Sequence, residues 1–412
     1  MQKSISLEAA QSLLLDRAVP LEEEWVPLLE ANGRILSQDL QAPMNIPGFD
    51  KSAMDGYALW AADTITAEPS KPVLLQVIEE TRAGFPAQAK VRPGTAVKLM
   101  TGTPIPEGAD TVIKYEDITR TGDIISVFNP LQTNDNIIAR GEDIQQGAWA
   151  GTKGMRVNPG LVALWAGLGM DHIPVYRQLK IAIISTGDEL IRPGEPLQAG
   201  KIYNSSLFGL MARCTELGAQ ALELGIIPDE LKTISARITQ GLEAADIVIS
   251  TGGVSVGDYD LVQEAMVDAG AEIIFWKVAM KPGSPMVAAA RGKQFVIGLS
   301  GNPAAAMVTF DLVVVPLIKK MMGISNPLPV KIQGIFADQF AKSSPQRRLL
   351  RARLERREGI DYFYLTGEQN NGAMVSLVKC NVMLDVPAGS GGIESGQPMT
   401  GYIVGDIGDI YD

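Results

Sequence analysis

The sequence predicts a multidomain chain of the α/β plus β class. A central α/β domain with a mostly parallel sheet follows a small mostly-β module and precedes a β-rich tail shaped as a small barrel or sandwich. Three observations carry this expectation. Apolar β-type runs alternate with helical spacings over 180–323. Short β-type runs broken by Pro and Gly fill 43–140 and 330–404. The proline-bearing stretch 325–329 separates the last two textures.

Taken in order, residues 6–15 have helical spacing with Ser6 placed as N-cap, and a second helix is expected near 28–35. The β-type runs 73–78, 96–100, 111–114 and 124–128 build the small module, and an apolar helix is expected around 161–167. In the α/β part, strands at 180–185, 222–226, 246–250 and 272–276 alternate with helices at 205–217, 229–244 and 258–269. Residues 285–290 and 294–298 read as a strand pair, and Asn302-Pro303 opens a long helix ending at Gly323. Strands at 330–335, 349–354, 362–365, 382–386 and 402–404 make the tail.

Composition narrows the function. The chain has 412 residues, 46% of them hydrophobic and 20% charged, enough apolar surface for substantial cores. Its net charge of −11 argues against nucleic-acid binding, which needs clustered Lys and Arg. The single histidine, His172, stands before Ile173-Pro174 at a domain junction and reads as structural, which leaves no His-rich zinc site. Cys214 and Cys380 form no CxxC pair and suit a reducing compartment. No apolar run approaches the roughly 18 residues of a membrane span, and the first residues lack a signal-peptide pattern, so a soluble cytoplasmic protein is expected.

Ligands of open parallel α/β sheets bind beyond the carboxyl ends of the strands. Three strands here end in unusual loops: STGDE at 185–189, STGGVSVGD at 250–258 and LSGNP at 299–303. Glycines permit close backbone approach, and free N–H groups at a helix start attract anions. Gly252, Gly253, Ser255 and Gly257, with Ser300, Gly301, Asn302 and Pro303, are therefore candidate phosphate-binding positions; tight turns made for packing are the alternative. No Walker A or GxGxxG pattern occurs. Asp188, Glu189, Asp229, Asp258 and Asp260 belong to the same rim. Gathered carboxylates repel one another unless a cation joins them, and magnesium takes such oxygen donors; of these five, the family resemblance described below singles out Glu189, Asp229 and Asp258 as metal ligands. Helix capping by Asp229 and Asp258 is the competing explanation. Lys277 and Lys281, four apart around a turn, suit an oxyanion, as does part of the basic cluster Arg347, Arg348, Arg351, Arg353, Arg356 and Arg357. In a strand, Arg347, Arg351 and Arg353 share one face, while Arg356 and Arg357 read as solvated. Met54 and Tyr57 flank Asp55 in an aperiodic segment that has the texture of a functional loop.

These stretches resemble, in order, those of the molybdopterin molybdenumtransferase family, to which the E domain of gephyrin is related. The matching segments are FDKSAMDGYA at 49–58, MTGTPIPEGAD at 100–110, RGED at 140–143, STGDEL at 185–190, residues 250–259, MKPG at 280–283 and GNP at 301–303. The resemblance implies an elongated N-terminal domain in two pieces (1–45 and 142–178) and an inserted mostly-β module (46–141). It further implies a molybdopterin-binding-like α/β domain (179–324) and a C-terminal β-barrel (325–412). It implies a homodimer whose site lies between subunits, with adenylylated molybdopterin and molybdate as substrates, magnesium as cofactor, AMP as product and other molybdenum-cofactor synthesis proteins as partners. The family's functional positions fall on Asp55, Thr101, Glu189, Asp229, Asp258, Lys277, Lys281, Pro303 and Arg351. Departures from the family pattern are Ser284 for Lys, Ser300 for Pro, Ala305 for Ser and Asn371 for Ser. Two other functions remain open at this point: adenylylation of molybdopterin, and a dimeric scaffold without turnover.

Overall fold

The α/β part is organised by one seven-stranded sheet, seen in a computed structural model that describes residues 2–254 and 261–405. From one edge, the order is Gln2–Ile5, Glu272–Val278, Met286–Arg291, Gln294–Leu299, Ile247–Thr251, Lys180–Thr186 and Gln220–Ile227. Met286–Arg291 runs antiparallel to both neighbours, as the expected strand pair requires. The other pairings are parallel, so six strands place their carboxyl ends on one edge of the sheet.

Alternation within the strands explains why the sheet is covered on both sides. Ile181, Ile183, Ile247 and Ile249 face a core built with Leu7, Leu14, Leu207, Leu210 and Leu317. Ala182, Ile184 and Val248 face a second core with Ile234, Ile238, Val262 and Met266. Successive residues thus serve opposite faces, and a strand buried on both must be apolar throughout.

The long helix after Asn302 is present with an irregular middle: α-helical over Pro303–Thr309, π-helical over Phe310–Val314 and α-helical again over Val315–Met321. Pro316 has no N–H to offer the preceding turn, and the Leu312 carbonyl instead accepts from Gln11 Nε2 at 2.7 Å.

Two expectations need correction. The helix foreseen near 28–35 is one 3-10 turn, Leu28–Ala31. Gly33, at φ +79°, turns the chain out of it, and Ile35 and Leu36 then bridge to Arg156 and Val175. The strand Gln2–Ile5 was not foreseen; four residues ahead of a capped helix carry too little periodicity to reveal it. The Ser6 cap is as expected, accepting from Ala9 N at 3.1 Å.

Around this unit, Glu23–Pro27 pairs with His172–Tyr176 and Leu40–Gln41 with Trp149–Gly151, so early and later segments knit into one layer. Between them, Thr111–Lys114, Gly56–Leu59, Thr95–Leu99, Val73–Glu80, Ile124–Val127 and Ile118–Thr121 form, in that order, a six-stranded sheet. The tail closes into a barrel of Lys331–Phe336, Ile360–Leu365, Arg348–Arg357, Val382–Val386 and Pro398–Ile403.

Trp165 anchors the helix Pro159–Gly167: it is wholly buried, and its Nε1 donates to the Ala150 carbonyl at 2.8 Å. Trp165→Ala is expected to cost about 3–5 kcal/mol through the cavity it leaves, read as a lowered denaturant midpoint with an unchanged slope.

Candidate functional site

The loops singled out in the sequence adjoin one another at the carboxyl edge of the sheet. Gly252, at φ +95°, donates its N–H to the Leu299 carbonyl at 3.1 Å. A Cβ at this position would lie 2.4 Å from the Thr186 carbonyl oxygen, so only glycine fits between the two strand ends. The third loop lies in contact with it, since a Cβ on Gly301 would stand 3.5 Å from the Gly252 Cα. Ser185 and Thr251 share a buried hydroxyl hydrogen bond at 2.9 Å across the first two strands. Ser300 Oγ accepts from Asn302 N at 3.3 Å, and Ser206 Oγ donates to the Gly301 carbonyl at 3.3 Å.

The carboxylates lie along the same edge. Gly187 N donates to the Ile227 carbonyl at 3.2 Å, which sets the loop carrying Glu189 beside the one carrying Asp229. Both side chains are exposed, and neither carboxylate has a partner among the described residues. Asp229 does not cap the following helix: that helix begins at Leu231, its N-cap is Glu230, and no side chain bonds the cap. Ser255, Gly257, Asp258 and Asp260 lie outside the described residues. Among the described residues no three His, Cys, Asp or Glu side chains gather to hold a metal. Thr186 Oγ1 and Ser250 Oγ, at the strand ends, are buried without a partner among the described residues.

Further along the edge the charge changes sign. Lys277 sits at φ +69°, an uncommon conformation for a side-chain-bearing residue, with its Nζ 4.1 Å from the centre of the Trp276 ring. Lys281 N donates to the Arg347 carbonyl at 2.9 Å, and Leu349 N donates back to the Lys281 carbonyl at 2.8 Å. This graft of the turn onto the barrel opens a cleft of about 440 Å³ lined by Lys281, Lys342, Arg348, Gln369, Asn370 and Asn371. Among the described residues no carboxylate lines it and none pairs with any of its three cations. The rest of the arginine cluster disperses. Arg347 is held by Asp385 and Glu8, Arg353 and Arg357 by Glu355, Arg356 by Asp361, and Arg351 is wholly enclosed in the barrel wall.

Asp55 and Thr101 meet in the six-stranded module. Asp55 Oδ1 accepts from Thr101 N at 2.7 Å and from Thr101 Oγ1 at 2.9 Å. These bonds to the charged form hold the Asp55 carboxyl below the usual range. No hydrogen bond or ion pair among the described residues links this pair to the sheet edge within one chain. His172 is exposed beside Asp171, with Nδ1 3.2 Å from its carboxylate. Burial pushes the thiols of Cys214 and Cys380 up to about 12, so neither is a ready nucleophile or metal ligand.

Sequence reasoning missed Lys342, Gln369 and Asn370 in the cationic cleft, and it did not single out Arg348 within its cluster. Only the pairing of the Lys281 turn with a barrel strand brings these residues together, and no local pattern announces it. The lysine beside an aromatic at 276–277 was visible, whereas the left-handed backbone that folds one over the other was not.

Comparison with known proteins gives a consistent result along the chain. Residues 5–169 match the family described as MoeA N-terminal region (domain I and II), residues 182–320 the probable molybdopterin binding domain, and residues 333–402 the MoeA C-terminal region (domain IV). A molybdopterin molybdenumtransferase of Bacillus subtilis is 38% identical, the alignment covering 91% of this chain and 88% of that one. One from Haemophilus influenzae is 33% identical over 96% of this chain and 98% of its own. A crystal structure of a molybdopterin biosynthesis MoeA protein from Pyrococcus horikoshii superposes with a TM-score of 0.81 at 32% identity, covering 97% of this chain and 100% of that one.

The Asp55–Thr101 geometry predicts that Thr101→Val, which removes one of the two donors, raises the Asp55 pKa towards the ordinary carboxylate value. In the unaltered protein the fastened, ionised form persists above that ordinary value and is lost only as pH falls through the depressed one. Side-chain carboxyl NMR titration measures both, and an identical titration in the variant would contradict the assignment.

Proposed function

We infer, for a chain that belongs to the molybdopterin molybdenumtransferase family, that it is a transferase which inserts molybdenum from molybdate into adenylylated molybdopterin and releases AMP. One observation carries the reading to the residues. Carboxylates without a partner among the described residues and glycine backbone share a sheet edge with a cleft in which the described residues place three cations and no carboxylate, the pairing of charges that a nucleotide phosphate and a metal oxyanion require together.

In this reading Gly252, Gly253, Ser255, Gly257 and Gly301 present backbone to the adenylate phosphates, and Ser300, Asn302 and Pro303 frame that surface. Lys277 and Lys281 meet the molybdate oxygens, with donor types suited to a tetrahedral anion. Glu189, Asp229 and Asp258 hold magnesium. The donor set fits that ion, which takes a few carboxylates and completes its shell with water and substrate phosphate rather than a closed protein cage. When bound, magnesium supplies charge neutralisation to the phosphate link as it breaks. Both thiols of this chain are pushed up to about 12 and stay protonated, so the sulfurs that receive molybdenum are those of the substrate.

Asp55 and Thr101 join the site from the second subunit of a homodimer. Apolar surface left bare on one chain supports that arrangement. Of the helix Pro159–Gly167 only Trp165 is buried, and Trp25, Leu29 and Trp149 are 57%, 79% and 63% exposed. The division into two N-terminal pieces, an inserted module, the α/β domain and the barrel belongs to the same proposal. So do the cytoplasmic location, which two free cysteines support, and contact with other molybdenum-cofactor synthesis proteins.

The decisive assay is AMP release from adenylylated molybdopterin with magnesium and molybdate. Glu189→Gln and Asp229→Asn are each expected to slow it about 100-fold or more while substrate still binds. Release at the wild-type rate in both variants would remove these carboxylates from the site, and ATP consumption with free molybdopterin would indicate an adenylyltransferase instead. Sedimentation velocity is expected to give twice the chain mass of 44.1 kDa, and a 44.1 kDa species at micromolar concentration would refute the dimer.

A further inference from the structure

Two helices begin at the rim of the sheet and run back from it, Ser205–Glu216 and the long helix that opens at Pro303. The first is capped by Asn204, whose Oδ1 accepts from Leu207 N at 3.2 Å, and its Ser206 hydroxyl holds the Gly301 carbonyl. The second starts directly after Asn302. A shift of either helix along its axis therefore moves the glycine-bearing surface with it.

About two turns into each helix the pair is tied together and to the barrel. Arg213 Nε, on the first helix, donates to Asp311 Oδ1, on the second, at 2.9 Å. Its Nη1 donates to Glu216 Oε1 at 2.6 Å, and its Nη2 donates to the Val404 carbonyl, directly after the barrel strand Pro398–Ile403. One guanidinium thus fastens three elements, with a planar fork whose donors point in fixed directions. The side chains of Arg213 and Asp311 are only 14% and 9% exposed. Burial pushes the Asp311 carboxyl up to about 6 against the pull of Arg213, so the pair is ionised at neutral pH. Asp311 belongs to the π-helical turn Phe310–Val314, a form that occurs frequently at functional positions.

The joint beside this clasp is loosely filled. A cavity of about 230 Å³ opens there, lined by Arg213, Met307 and Asp311 from the α/β unit and by Leu377, Cys380 and Met383 from the barrel. Where side chains do not interlock, apolar packing sets no exact spacing between two units, and directed hydrogen bonds do. The Lys281 turn joins sheet and barrel at the cleft itself, so Arg213 is a second fastening away from it. Two separated fastenings fix an angle as well as a distance.

We propose that Arg213 and Asp311 are positioning residues for the transferase reaction, which hold the barrel against the two rim helices and so set the glycine-bearing surface at its working distance from the cationic cleft. The proposal rests on the transferase reading. Each ligand group would still find its own donors with the clasp broken, but the reacting groups would meet out of line, and a misplacement of about 1 Å can slow a reaction about 100-fold.

The test uses the full-length protein and three measurements: kcat for AMP release, the separate affinities for AMP and for molybdate by calorimetry, and labelling by N-ethylmaleimide located by mass spectrometry. Cys380 lines the cavity, whereas Cys214 is wholly buried in the adjoining core, so opening of the joint speeds labelling of the first alone and loss of the fold speeds both. Arg213→Gln and Asp311→Asn are each expected to lower kcat about tenfold or more, with both affinities within about twofold of wild type, faster labelling of Cys380 and unchanged labelling of Cys214. Combining them is expected to add little, because each removes the same fastening. Breaking a buried ion pair can unfold a chain, so Arg213→Met with Asp311→Leu is made as well: an apolar pair of similar bulk keeps the fold and offers Val404 no donor, and the same defect is expected. Wild-type kcat or wild-type Cys380 labelling in that double variant would overturn the proposal, and so would a fall in kcat accompanied by lost AMP or molybdate affinity. If the unaltered protein releases no AMP, the transferase reading fails, while the Cys380 labelling rates still decide whether Arg213 holds the joint.

Discussion

Two backbone hydrogen bonds at Lys281 join the sheet to the barrel, and the geometry of the site depends on them. They are made between main-chain groups, so they set the spacing of the Lys281 turn and strand Arg348–Arg357 whatever the side chains are. The cationic cleft exists because this splice holds Lys281 against a strand that carries Arg348 on one face and Arg351 on the other. A few ångströms of slip would leave the lysine facing solvent, where an isolated charge binds an anion poorly.

At the other end of the edge the constraint is steric. Gly252 is gripped between the ends of two neighbouring strands with no room for a Cβ, and Gly301 lies against it. Backbone rather than side chain is therefore what this surface shows to a ligand. The carboxylates of Glu189 and Asp229, without a partner among the described residues, stand beside it, so opposite charges occupy opposite ends of one continuous rim. A substrate that carries phosphate and receives an oxyanion-derived metal needs such a division, because a single electropositive pocket would hold both groups and direct neither.

The sheet, the helices and the three glycine-bearing loops were legible because their signals are local: apolar runs, helical spacing, and Gly with hydroxyl or carboxylate residues at strand ends. Asp229 was legible as a rim carboxylate, and the absence of any cap bond removes the competing reading. Less legible was whatever depends on pairing across long stretches of chain. Strand Gln2–Ile5, the cleft beside Arg348 and the enclosure of Arg351 all arise from contacts between segments far apart in sequence. The arginine cluster shows the limit most clearly. Spacing grouped Arg347, Arg351 and Arg353 on one face, but it could not tell that Arg347 would be half-buried between two carboxylates, Arg351 fully enclosed and Arg353 paired with Glu355 at the surface. The missed termination of the segment at 28–35 has a different cause: a glycine at positive φ overrode a run of good helix formers.

Strand Gln2–Ile5 forms the outer border of the sheet, in register with Phe275 to Val278. During synthesis this segment leaves the ribosome long before its neighbour does. Until the two meet, strand Glu272–Val278 offers an unsatisfied ladder to any other nascent chain. Closing this edge of the central unit is thus a long-range docking step, and it also fastens the turn bearing Lys277 and Lys281, since Ala279 N donates to the Ile5 carbonyl at 2.7 Å. Maturation of the reactive surface is thereby coupled to a pairing between segments far apart in sequence.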